Sequence, residues 1–262
     1  MLAGPHPTST LAAWADTATT DSGTFSSRYW RCDSTILADG PRIYYRLDET
    51  GTTTTAADSS GQARNGLYQG TVTKGVTTAP LPCKAGSGSA VTFNGSTGYL
   101  NWNSTTALTV PTTYSVEAWF KTNTTRGGLI AGWGAAATGA STTTDRVLYM
   151  TNAGALAFGT NNAAKAVATA TGPFNNNAWH HVIATVGTTG IRIYVDGAQA
   201  ATSTTVASGT YAGYFRVGYD ALTGWANAPT SNFLAATLDE VAAYSTTLTL
   251  ADAQDHYAAR TY

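Results

Sequence analysis

Residues 177–199 read NAWHHVIATVGTTGIRIYVDGAQ, and the period of this stretch decides the fold class. From Trp179 to Val186 the side chains are β-branched, aromatic or small, without helical spacing, until Gly187-Thr188-Thr189-Gly190 interrupts them. Ile191-Arg192-Ile193-Tyr194-Val195 then alternates and stops at Asp196-Gly197. Asp-Gly marks a tight type I′ hairpin, because both central residues of that turn need positive φ. The stretch is predicted to form three antiparallel strands in a row. Neighbouring strand residues point to opposite faces. Trp179, His181 and Ile183 therefore share one face, and His180, Val182 and Ala184 the other. This separates the two adjacent histidines, which read as strand architecture rather than as a dihistidine metal or catalytic site.

The same signals recur on both sides of this hairpin. PRIYYRLDETG (41–51) contains a strand, and SAVTFNGSTGYLNW (89–102) reads as a hairpin-like pair around Asn94-Gly95. YSVEAWFKT (114–122) alternates Ser115, Glu117, Trp119 and Lys121 against Val116, Ala118 and Phe120. RVLYMTNAGALAFGT (146–160) turns at Asn152-Ala153-Gly154, and YFRVGYD (214–220) and NFLAATLDEVAAYSTTL (232–248) follow. Short strands with turn signals between them predict an all-β sandwich or barrel. One helix is expected near the end, with Thr249 as its cap, Asp252 as a short version of the capping-box acid, and helix formers from Ala253 to Ala259.

Charged residues make up 11% of the 262-residue chain and the net charge is −1, against about 25% charged in an average soluble protein. No basic field invites nucleic acid. No apolar run is long enough to span a membrane, and Met1 to Ala13 does not read as an intact signal peptide. Threonine, alanine and the 27 glycines replace the missing charge, a profile that suits short strands, many turns and an extracellular surface. The two cysteines, Cys32 and Cys83, have no metal-ligand spacing. In a secreted chain they read as one disulfide, and in a cytosolic chain as two buried thiols. The organisation expected is an N-terminal extension over 1–40 and one β domain over 41–262.

AVTFNGSTGYL, YSVEAWFKT, WHHVIATVGTTGIRIYVDGA, FRVGYD and LDEVAAYSTTLTLADAQDHY, in this order, resemble the laminin-G-like, concanavalin-A-like jelly-roll family. The resemblance covers roughly Pro41 to the C-terminus. It implies a two-sheet antiparallel jelly-roll sandwich with its first and last strands side by side. Function follows less directly, since lectins, adhesins, glycanases and interaction modules share this sandwich. AAWADTATTDSGTFSS (12–27) resembles the start of secreted biofilm-fibre proteins of the camelysin type.

Glycanases of this fold present acids at alternate positions of one strand, about 5 Å apart for retaining hydrolysis. Asp48-Glu49 and Asp239-Glu240 are adjacent pairs that would split across two faces, and no Gly-x-Ser-x-Gly elbow occurs. The chain is therefore read as non-catalytic. Asp58, in the oxygen-rich loop ADSSGQARNG, and Asp239 are candidate ligands for one structural Ca²⁺; an Asx-turn at Asp58 and a buried hydrogen bond at Asp239 are the alternatives. Trp225, with Tyr219 and Asp220, is the candidate carbohydrate-stacking platform, or else a loop tryptophan folded over a sandwich edge. Trp119 and Trp179 are assigned to the core, and Trp102 and Trp133 to loops. Trp14 and Phe25 are candidate anchors for an N-terminal strand donated to a neighbour. The function expected is a secreted or cell-surface module that binds an extracellular glycan or surface protein. The alternative is a filament subunit that binds copies of itself.

Overall fold

The computed structural model of the chain describes residues 32–77, 81–83, 88–206 and 208–261. Trp14 and Phe25 lie outside the described residues. One antiparallel sheet contains β1 (Ile43–Tyr45), β4 (Val72–Val76), β5 (Ala90–Asn94), β8 (Tyr114–Lys121), β13 (Trp179–Gly187), β14 (Gly190–Val195), β15 (Ala198–Ser203) and β17 (Ala235–Tyr244). The other contains β2 (Thr55–Ala56), β3 (Gly66–Gln69), β6 (Tyr99–Trp102), β7 (Leu108–Val110), β9 (Gly128–Gly134), β10 (Thr144–Met150), β11 (Leu156–Asn162), β12 (Ala164–Ala170) and β16 (Tyr211–Val217). Their orders are β15-β14-β13-β8-β17-β5-β4, with β1 on β17, and β12-β11-β10-β9-β16-β6-β3-β2, with β7 on β16. The first and last strands pair as expected, Ile43 opposite Ala243. This is a jelly-roll sandwich, and Phe93, Phe120, Trp133, Phe158 and Phe215 fill the space between its sheets.

The stretch from 177 to 199 forms β13, β14 and β15 in series. Thr188 and Thr189 turn the chain between paired Gly187 and Gly190. Asp196 and Gly197 have φ of 52° and 77°, the positive pair a type I′ turn requires. Asn94-Gly95 behaves differently from the predicted hairpin. Its two flanking strands, β5 and β6, belong to different sheets. The Asn94 Oδ1 accepts the N–H groups of Ser96, Thr97 and Gly98, and Gly95 at φ 72° crosses so near Ala235 that a Cβ would meet its methyl at 2.6 Å. The dipeptide specifies a reversal of direction, and side-chain burial on both flanks sends its strands to separate layers.

Both outer faces are covered in part. Helix α1 (Cys32–Ala38) and helix α2 (Leu250–Ala258) lie over the eight-stranded sheet, burying Ile36, Trp119, Ile183, Tyr194 and Tyr244. α2 has the predicted cap: Thr249 accepts from the Asp252 N–H, and Asp252 accepts from the Thr249 N–H. α1 falls within the stretch assigned to the extension, so the folded body begins before the predicted boundary at 41. The Cys32–Cys83 disulfide, with a Cα–Cα distance of 5.1 Å, fastens α1 to that body. Trp133, placed in a loop by the sequence reading, is instead a fully buried residue of β9.

On the nine-stranded sheet the connection 218–234 folds back over Leu129, Val147, Tyr149 and Ala157, with Leu222 and Trp225 as its apolar contacts. Trp225 is 4% exposed and donates from Nε1 to Thr144 Oγ1 at 2.9 Å. Its ring lies against Gly159, where a Cβ would come within 2.3 Å. Trp225 is thus a cover for the sandwich and not an open stacking platform, because its indole gains more by burial on four apolar side chains than it would in water. Trp225→Ala should lower unfolding stability by about 3–5 kcal/mol, the usual cost of deleting a buried tryptophan, read as a lower denaturant midpoint at unchanged slope. An unchanged midpoint would contradict the covering role.

Candidate functional site

The outward row of β8 is polar where the fold is most crowded. Glu117 points from β8 toward α2 and is fully buried. Three side chains close around its carboxylate. His181 Nε2 of β13 donates to Oε1 at 2.7 Å, and Tyr244 Oη of β17 donates to Oε2 at 2.6 Å. His256 Nδ1 of α2 approaches Oε1 and Oε2 at 2.9 and 3.0 Å. The far nitrogen of His256 reaches Asp39, just beyond α1, at 2.8 Å. Trp119 stacks near His181 and Tyr257, with ring centroids 4.8 and 5.8 Å away, and shields the cluster on one side. Strands β13 and β17 and helix α2 therefore meet on one carboxylate of β8, and Asp39 after α1 joins them through His256.

The cluster sets its own charges. Burial opposes ionisation of Glu117, but the His256 charge and the hydrogen bonds from His181 and His256 hold it well below the usual carboxylate range. Burial likewise disfavours charged His256, yet Glu117 and Asp39 raise its pKa to about 9. The Tyr244 hydroxyl is driven far up, first by burial and then by Glu117. A cavity of about 300 Å³ opens beside His256, with Asp39, Asp252 and Asp255 on its wall.

A second feature crosses the same outer face. Thr92 pairs with Thr237, Thr237 with Lys121, and Lys121 with Trp179. Directly paired residues share a face, so these four side chains form one row over β5, β17, β8 and β13. Three strand spacings make it about 14 Å long. The threonine hydroxyls touch at 2.7 Å. A groove of about 270 Å³ follows the row, with Asn123 and Asn177 on its rim. Trp179, assigned to the core from its strand pattern, is only half-buried here, packed against the apolar cluster beneath the helices.

The residues predicted to act together do not all meet. Asp220 is buried, and its carboxylate accepts from Ser141 N, Ser141 Oγ and Ala221 N at 2.8, 2.8 and 2.7 Å. Burial raises its pKa against the opposing pull of Arg216. Tyr219 is half-buried and stacked on Phe233, centroids 3.8 Å apart. With Trp225 covered, this trio presents no platform. Asp58 accepts from Tyr44 N, Ser60 N, Ser60 Oγ and Arg64 N, which is the Asx-turn alternative. Its carboxylate does not fit a calcium site as it stands, since an ion would have to displace those four donors. Asp239 is fully buried in β17, where the register shifts beside Trp119. Among the described residues, the His, Cys, Asp and Glu side chains gathered closely enough for one ion are Glu117, His181 and His256.

His180 and His181 separate as predicted. His180 bonds Asp196 and Asn176 at 2.8 and 3.1 Å, while His181 turns to Glu117. What the sequence reading missed is the cluster. An acid amid the apolar residues of YSVEAWFKT was its visible trace, and His181 shares the outward phase of its own strand. His256 and Asp39 could not be linked to them without knowing where the helices dock.

A raised histidine pKa stabilises the fold fully below the ordinary value of 6.5, and the contribution is lost as pH rises through about 9. Thermal melts in EDTA-containing buffer should therefore show a fall between about pH 6.5 and 9 that is absent in His256→Gln. The same fall in both proteins would assign it to other groups.

A family model described as the concanavalin A-like lectin/glucanases superfamily matches residues 94–254. No curated protein matches the chain. Among solved structures, the binding domain of botulinum neurotoxin DC in complex with rat synaptotagmin II is similar, with a TM-score of 0.58 at 13% identity over 87% of this chain and 53% of that one. The same domain in complex with SialylT gives 0.58 at 12% identity, over 86% and 53%. The botulinum neurotoxin serotype D ligand binding domain in complex with N-acetylneuraminic acid gives 0.53 at 13%, over 87% and 52%. The chain spans about half the length of these proteins, and at such identity the likeness is one of fold. With the model matching well over half its length and the sandwich that the family implies, the chain belongs to the concanavalin A-like lectin/glucanase superfamily.

Proposed function

We propose that this chain is a secreted or cell-surface, non-catalytic binding module, and that its ligand is an extracellular carbohydrate taken along the Thr92–Thr237–Lys121–Trp179 row. The observation that carries this reading is the half-buried Trp179 ring at the end of a polar cross-strand row. A sugar presents an apolar face and a rim of hydroxyls. An indole suits the first, and threonine, asparagine and lysine side chains suit the second. The superfamily includes lectins, and similar structures are binding domains in complex with N-acetylneuraminic acid or with rat synaptotagmin II. The disulfide and the low charge support an extracellular setting. Among the described residues no helix is long and apolar enough to cross a membrane.

The test is binding of the full-length chain to an immobilised glycan panel and to surface proteins. Trp179→Ala and Thr237→Val should each weaken glycan binding, the former more than tenfold, or about 1.4 kcal/mol, while the folded spectrum is retained. A parent protein that binds surface proteins and no glycan, or a Trp179→Ala variant with full glycan affinity, would overturn the reading.

A further inference from the structure

The cluster beneath α2 has a chemistry that the binding row does not use. We propose that Glu117, His181 and His256 form a site for a divalent transition-metal ion of the zinc class, reached from the cavity walled by Asp39, Asp252 and Asp255. One ligand atom from each of the three residues lies within 4.8 Å of the others, and all three residues are buried.

The donor set argues for the class of ion. Two imidazoles and one carboxylate suit zinc, cobalt, nickel or copper, whereas calcium and magnesium prefer oxygen alone. The spacing argues for a small change of geometry. Ligands about 2.0–2.1 Å from a tetrahedral zinc sit about 3.3 Å from one another. The present nitrogen–oxygen contacts are 2.7 and 2.9 Å, so an ion replaces the protons now shared with Glu117 while these pairs open by a few tenths of an ångström. His256 must also move toward His181 to the extent that their nitrogens exceed that spacing.

The surroundings resemble those of histidines that bind metals. Such a histidine usually gives its other ring N–H to a carboxylate, which fixes its tautomer and orientation. His256 does so: its Nε2 meets Asp39 Oδ2 at 2.8 Å, leaving Nδ1 to face Glu117. Tyr244 holds the second Glu117 oxygen at 2.6 Å. The cavity reaches His256, and the three aspartates that line it with this residue concentrate cations beside it. His180 is no competitor for this ion, because it points away to Asp196 and Asn176.

The test uses the full-length chain, stripped with a chelator and titrated with Co²⁺. The proposal expects one equivalent bound per chain with the visible absorption of tetrahedral cobalt, displaced by Zn²⁺, and a melting temperature that rises with Zn²⁺. His256→Gln should abolish the bands. Asp39→Asn, at a partly exposed position, should weaken cobalt binding about 10–100-fold as an outer-shell loss. The double variant His6→Gln, His180→Gln should bind as the parent does. Folded parent protein that shows neither the bands nor a zinc-dependent melting shift would overturn the site, as would loss of both in the His6/His180 double variant. Should His256→Gln fail to fold, the parent titration and the double variant still decide.

Discussion

The structure turns on one buried carboxylate. Glu117 lies at the middle of the central β8 strand with no exposed surface, and an isolated charge there would cost several kcal/mol in lost hydration. The fold answers by converging donors on it from β13, β17 and α2. Since one of those donors, His256, is itself buried, it needs Asp39 in turn. The requirement passes from sheet to helix to helix. It ends at α1, which the Cys32–Cys83 disulfide fastens to the body. A buried ion pair is weak evidence for stability in itself. Here it helps to specify how α1 and α2 sit on the sheet face.

The same docking divides the outer face into two surfaces. Under the helices the face is closed, with Trp119 packed against both His181 and Tyr257. Two residues further along β8, Lys121 emerges from the helix cover and joins Thr237, Thr92 and Trp179 in the open row. One strand therefore carries a sealed polar cluster and, beyond a tryptophan, an accessible polar groove. On the opposite outer face Trp225 covers part of the nine-stranded sheet.

Much of this was legible in the residues, because strand period and turn chemistry are local. The three strands of 177–199, the positive-φ Asp196-Gly197 turn and the α2 capping box are all encoded within a few positions. So is the split of His180 from His181. Asn94-Gly95 was read correctly as a turn and wrongly as a hairpin, since a turn signal does not say which sheet receives the next strand. The tryptophans show the same limit. Trp179 sits in a strong strand pattern and yet emerges, while Trp225 sits in a loop and is buried, because exposure depends on what covers each face. Glu117, His181, His256 and Asp39 come from four distant segments, and only the tertiary fold brings them together.

The central claim is that Glu117 docks the helices. Amide hydrogen exchange of Glu117→Gln against the parent tests it most directly, with deuterium uptake followed by segment. The account predicts faster exchange in α2 and α1, whose anchor through His256 is weakened, with β10 and β11 of the other sheet unchanged. Uniform acceleration through both sheets, or unaltered protection of α2 in a folded variant, would contradict it.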